Sequence, residues 1–184
     1  METLDALTQT FDHAAAVIGG VRPEQMTAPT PCTEWDVRAL LTHTIGVVTN
    51  VGCGVRGDAL LPDVNAIALE ADFARQFRIA ADGTVAAWRS VGFDGEVNIG
   101  AGPMPASLGA SINVVDTASH AWDIARATGQ AEDLPAELAA SMLILAQGFV
   151  SDDIRNFAGF AAAVEVAADA TPTDAFAAFM GRRP

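Results

Sequence analysis

Apolar residues return at steps of three and four along most of this chain, and glycine- and proline-rich stretches interrupt them. Leu4, Leu7, Phe11, Ala14, Ala15 and Ile18 fall on one face if residues 3–18 are helical. GGVRPEQMTAPTPC then breaks the period. The restart has Thr33 as an expected N-cap with Asp36 three residues on and Glu34 in the first turn, which predicts a helix over 34–50. GCGVRGDALLPD reads as a connector, and residues 64–90 as a further helix with an interruption near Asp82 and Gly83. FDGEVNIGAGPMP predicts an irregular segment or short strand. Residues 105–128 form the longest expected helix, closed by Gly129, and Pro135 opens another. The tail divides into an extended piece around Ala163–Ala167 and a short terminal helix that starts at Thr-Pro-Thr-Asp and ends at Gly181. Four or five helices with modest loops predict an all-α bundle, carrying an irregular or short-strand insertion and a small C-terminal extension.

A chain of 184 residues, 51% apolar, can bury one sizeable core, so residues 1–184 are expected to form a single domain. The formal net charge of −13, with ten Lys and Arg in all, repels phosphate backbones and anionic lipid surfaces, which argues against nucleic-acid and membrane partners. No apolar run approaches the roughly 18 residues of a membrane span, and the acidic N-terminus is unlike a secretory signal, so a cytoplasmic location is expected. Cys32 and Cys53 make no disulfide framework and no CxxC motif.

The stretch VVDTASHAWDIA, residues 114–125, carries two carboxylates and one of only three histidines inside an otherwise apolar helix. At about 100° per residue, Asp116, His120 and Asp123 lie within about 60° of one another, in line with Ile112 and Ala127. An unpaired ionised carboxylate on a packed face is costly, so something must compensate it: His120, an arginine such as Arg126, solvent, or a bound cation. In EWDVRALLTHTIGVV the residues Asp36, Leu40, His43 and Val47 line one stripe, which puts a second imidazole among aliphatic neighbours. Two imidazoles and a carboxylate, His43, His120 and Asp116, are a donor set suited to zinc or another divalent ion with an open coordination position. The plainer reading is a helix-stabilising Asp–His contact at i,i+4. His13 has no such partner and reads as structural.

PTPCTEWDVRALLTHTIG resembles the opening motif of the actinobacterial family related to the N-terminal domain of mycothiol-dependent maleylpyruvate isomerase, within the DinB/YfiT-like superfamily. DTASHAWDIARATGQ resembles that family's histidine–tryptophan–aspartate helix, and AAVEVAADATPTDAFAAFMGRRP the ending of a short subfamily. The resemblance implies a DinB-like four-helix bundle, with metal ligands at His43, Asp116 and His120. It departs at Asp116, where the isomerase has Glu. That enzyme also has a further C-terminal domain for which this chain has no room, so maleylpyruvate isomerisation itself is not expected.

The expected function is a divalent-metal-dependent enzyme, with zinc foremost and nickel or manganese as alternatives. It would use a low-molecular-weight thiol, mycothiol or similar, in S-transfer to an electrophilic substrate or in thiol-assisted isomerisation. A metal-dependent hydrolase, and a non-catalytic ligand-binding or stress-related bundle, are the alternatives. A homodimer is compatible with either. Around the donors, Asp123 is expected to orient a histidine or to meet Arg126, and Trp35 and Trp122 to wall a pocket or join the core. Arg38 and Arg126 would receive an acidic substrate or stay solvated. Cys32, expected just before a helix N-terminus, would be a reactive thiol or a small packed residue.

Overall fold

In the computed structural model of the chain, residues 2–131, 133–158 and 160–184 are described. Among the described residues seven α-helices follow in order: α1 Thr3–Gly19, α2 Val37–Arg56, α3 Phe73–Val91, α4 Ala106–Thr128, α5 Ala136–Phe149, α6 Asp152–Ala158 and α7 Pro172–Phe179. Between α3 and α4 stands a hairpin of β1 Glu96–Asn98 and β2 Pro103–Pro105, antiparallel, with Val97 opposite Met104. The first four helices close a bundle in the cyclic order α1, α3, α2, α4, since α1 and α2 each pack on both α3 and α4. Helix α5 lies against α4 and α1, and α7 covers α5. This is the mostly helical bundle that the periodicity predicts. Among the described residues no helix is long and apolar enough to cross a membrane.

The core is what the three-and-four stripes bury. Leu7, Phe11 and Ile18 of α1 meet Leu40, Leu41 and Ile45 of α2, Phe77 and Trp88 of α3, and Ile124 of α4, all essentially without solvent contact. Phe11 and Phe77 pack edge to face with centroids 6.3 Å apart, a favoured aromatic geometry.

Several boundaries differ from the sequence expectation. Helix α2 begins at Val37, capped by Asp36, whose Oδ1 accepts from the Ala39 N–H at 2.9 Å; Thr33 lies upstream in a turn. The segment before it is held by a bridge between Pro29 and Asp36, and the Thr30 hydroxyl donates to the Trp35 carbonyl at 2.8 Å. At its other end α2 runs through Gly52 and Gly54 to Arg56, where a loop was expected. Those glycines are helical because neighbours press on them. A Cβ on Gly54 would collide with the Asn98 carbonyl of β1, and one on Gly52 with the Thr84 hydroxyl of α3. Close packing of this kind outweighs the modest helix penalty of glycine.

Helix α3 starts only at Phe73, and residues 64–72 are irregular. It runs uninterrupted past Asp82 and Gly83, because one exposed glycine does not end a helix whose other face buries Phe77, Ala81, Thr84 and Trp88. Asn50 of α2 clasps the connections on either side. Its amide donates to the Ile99 carbonyl at 2.9 Å and its oxygen accepts from the Leu61 N–H at 2.8 Å. No strand forms at 163–167, although the Val164 N–H bonds to the Ala178 carbonyl at 2.9 Å. Pro135 stands one residue before α5 as its N-cap.

The two helical glycines make opposite predictions. Gly83 has open space around it, so Gly83→Ala should stabilise the fold by about 0.5–1 kcal/mol. Gly54→Ala forces the hairpin away and should destabilise by about 1–3 kcal/mol. Urea denaturation of both variants reads the signs; equal shifts in the same direction would contradict this packing.

Candidate functional site

Helices α2 and α4 pack on each other, and their polar stripes meet. The rings of His43 and His120 stand edge to face with centroids 5.1 Å apart. Asp116 Oδ1 lies 3.4 Å from His120 Nε2. One donor atom from each of His43, Asp116 and His120 falls within 4.8 Å of the other two. Two segments far apart in sequence therefore bring their side chains to one point.

Each imidazole is oriented through its other nitrogen. His120 Nδ1 lies 3.3 Å from Asp123 Oδ2, and His43 Nδ1 lies 2.8 Å from Asn65 Oδ1. An acceptor at Nδ1 puts a ring proton there, so Nε2 is the nitrogen that carries the lone pair whenever the ring is neutral. Asn65 belongs to the irregular segment after α2, and no periodic signal marks it. Its seat depends on Gly46, one turn beyond His43, where a Cβ would collide with the Val64 carbonyl. Trp35 completes this side. Its ring centroid is 4.4 Å from that of His43 and 6.1 Å from that of His120.

Asp123 has no solvent exposure. The sequence suggested Arg126 as a partner, but the paired cation is Arg182, beyond α7. Arg182 Nε donates to Asp123 Oδ1 at 3.1 Å and Nη2 to Oδ2 at 2.6 Å, a two-pronged contact that spans 59 positions. Sequence reasoning missed Arg182, and the only hint was its place after Gly181, a glycine that can take the left-handed turn. Arg126 instead lies over the Trp122 ring at 5.6 Å. Trp122 is buried about 200° round α4 from His120, and Arg126 is exposed. Arg38 is exposed.

The charges form one coupled group. Burial opposes ionisation of Asp116 and Asp123, yet His120 beside both and Arg182 on Asp123 hold the two carboxyls below the usual carboxylate range. Burial would lower His120, but Asp116 and Asp123 outweigh it and push the imidazole up to about 9. His43 moves the other way, lowered by burial and by the neighbouring His120 against the pull of Asp116. The pair thus contains one neutral and one protonated imidazole at pH 7. Cys32 lies five residues before α2 rather than at its N-terminus. Burial and the Asp123 charge push its thiol up, against the expected activation. It shares a second donor group with His120 and Asp123, on the Nδ1 side of His120. His13 belongs to neither group, and burial lowers its pKa.

Among the described residues nothing donates to Asp116 Oδ2, although it is buried. A buried carboxylate oxygen without a protein partner has room for a water or a cation.

Over residues 7–125 the sequence matches the family described as the mycothiol maleylpyruvate isomerase N-terminal domain. The chain belongs to this family. An uncharacterized protein of Mycobacterium tuberculosis, found alike in strains CDC 1551 / Oshkosh and H37Rv, is 32% identical over 187 residues, spanning 99% of this chain and 98% of that protein. The crystal structure of the mycothiol-dependent maleylpyruvate isomerase aligns with a TM-score of 0.57 at 16% identity, over 78% of this chain and 68% of that one, which establishes the shared fold. The match to the isomerase N-terminal domain family spans α2 and nearly all of α4, so it contains all three converging donors and ends before α7 and Arg182.

The raised His120 pKa sets a pH dependence. A group whose folded pKa exceeds its ordinary 6.5 contributes stability that is complete below that pH and lost as pH rises through about 9. Chelator-treated protein should therefore lose on the order of a few kcal/mol between pH 6.5 and 9. Urea midpoints across that window measure it. His120→Gln should start from a lower baseline and show a flat profile there.

Proposed function

We propose that His43, Asp116 and His120 hold a divalent cation, zinc foremost with nickel or manganese as alternatives. The protein would use it with a small thiol of the mycothiol class, in S-transfer to an electrophile or in thiol-assisted isomerisation. The observation that carries this reading is the convergence of three donors from two helices on one point, with a buried Asp116 oxygen left without a hydrogen bond.

The residues fit such an ion. Donors bound to one tetrahedral zinc at about 2.0–2.1 Å stand about 3.3 Å apart, and His120 Nε2 and Asp116 Oδ1 are 3.4 Å apart. Both imidazoles offer Nε2, because Asn65 and Asp123 engage the opposite nitrogens. The charge count favours an anionic co-ligand. Without a cation, Arg182 and protonated His120 balance Asp116 and Asp123. A divalent ion in place of the His120 proton leaves one surplus positive charge, which a thiolate neutralises. The cation would supply the Lewis acidity that keeps a bound thiol deprotonated at neutral pH.

This chain's own residues do the rest. Asn65 and Asp123 hold the two ring orientations, and Trp35 screens His43 from water on one side. The family's description and the related solved enzyme both name mycothiol, which supports a thiol as the small-molecule partner. The fold does not determine the electrophile.

Elemental analysis of untagged protein tests the reading. Near-stoichiometric zinc, nickel or manganese is expected in the wild type, lost in His43→Ala and in His120→Ala. Metal-loaded protein should be protected against thermal unfolding by mycothiol and not by its alcohol analogue. Metal-free wild type after purification and after zinc addition would overturn the proposal in favour of a non-catalytic bundle.

A further inference from the structure

We propose that Arg182 is a positioning residue of the cation site, so that the segment after α7 completes a centre whose donors all lie on α2 and α4. This inference rests on the cation reading above.

The connection is a continuous chain of buried polar contacts. His120 Nδ1 faces Asp123 Oδ2 at 3.3 Å, and Arg182 closes on both oxygens of that carboxylate at 2.6 and 3.1 Å. A third Arg182 donor, Nη1, reaches the Met180 carbonyl at 2.7 Å, which ties the guanidinium to its own turn. The side chains of Asp123 and Arg182 are 0% and 8% exposed, so neither can be replaced by water without rearrangement.

The backbone aims this arginine. Helix α7 ends with the Gly181 N–H on the Ala178 carbonyl and the Arg182 N–H on the Ala177 carbonyl, the paired bonds of a Schellman closure. Gly181 takes a φ of +85°, and a Cβ there would press on the Ala161 backbone, so only glycine suits the turn that points Arg182 inward. The tail is fixed in turn by Arg155, which donates to the Ala161 carbonyl at 3.0 Å and the Phe179 carbonyl at 2.8 Å.

A carboxylate free to rotate would accept from His120 in several orientations. With both oxygens engaged by a fork of fixed geometry, one oxygen is left facing Nδ1, and the imidazole presents Nε2 toward Asp116 and His43. Removal of such an outer partner lowers metal affinity by roughly 10–100-fold in comparable sites.

Cobalt(II) binding to the full chain, followed by visible absorption and titration at fixed pH, tests this. Arg182→Met should bind cobalt about 10–100-fold more weakly than wild type, with an altered absorption band. Arg182→Lys keeps the charge without the fork and should recover only part of the loss. The double variant Asp123→Asn with Arg182→Met removes the buried unpaired charge, so it provides a folded protein if the single variant unfolds; it should also bind cobalt weakly. Wild-type affinity and spectrum in folded Arg182→Met or in the double variant would overturn the role of Arg182 and leave the cation reading intact. Failure of wild-type protein to take up cobalt would overturn both.

Discussion

Two carboxylates on one buried face of α4 are the constraint that organises this structure. Asp123 has no solvent contact and Asp116 little, and ionised groups in such surroundings persist only with partners. His120 stands between them and touches both. Arg182 arrives from the far end of the chain to close on Asp123, which satisfies that carboxylate fully. Asp116 is treated differently. One of its oxygens faces His120 and the other has no hydrogen bond among the described residues. The same helix thus holds one carboxylate locked as a support and one left with capacity to bind, and this asymmetry gives the site its direction.

The remaining parts are held in place by what glycine leaves out. Gly46 and Gly54, two helical turns apart on α2, admit the Val64 and Asn98 carbonyls at distances that any side chain would forbid. The first contact seats the irregular segment so that Asn65 reaches His43, and the second seats the hairpin that leads into α4. Asn50 ties both connections to the same helix. Helix α2 is therefore the spine on which a donor, its orienting partner and the approach to the second donor helix are all assembled. The aliphatic core between the four helices holds this frame together.

Much of this was legible before any coordinates. The helices of the bundle announce themselves by period, and Asp116, His120 and Asp123 share a face because residues three and four apart on one helix must. His43 also stood out, as an imidazole in an aliphatic stripe. The errors have a common cause. Gly52 and Gly54 looked like loop because local propensity was the only guide, whereas close packing decided in favour of helix. Residues 64–72 looked helical but are held irregular by contacts with α2. Thr33 lost the capping role to Asp36 once the strand-like bridge to Pro29 set where the helix starts. Trp122 and Arg126 were attractive by proximity in sequence, yet Trp122 is turned away from His120 into the core and Arg126 lies over its ring.

The sequence by itself determined the helical bundle, the position of the polar seam on α4, the charge balance, and the motifs that place the chain among mycothiol maleylpyruvate isomerase N-terminal domains. The bundle and the seam depend on short-range periodicity, the charge on composition, and the family on motif resemblance, all of which are readable from the residues in order. Only the tertiary structure decided that His43 meets His120, that Asn65 and Trp35 attend His43, that Arg182 rather than Arg126 neutralises Asp123, and that Cys32 is withdrawn rather than activated. Apart from Trp35 on His43, these are contacts between segments separated by tens of residues, and no local propensity encodes which partner a buried charge will find. Packing chooses it.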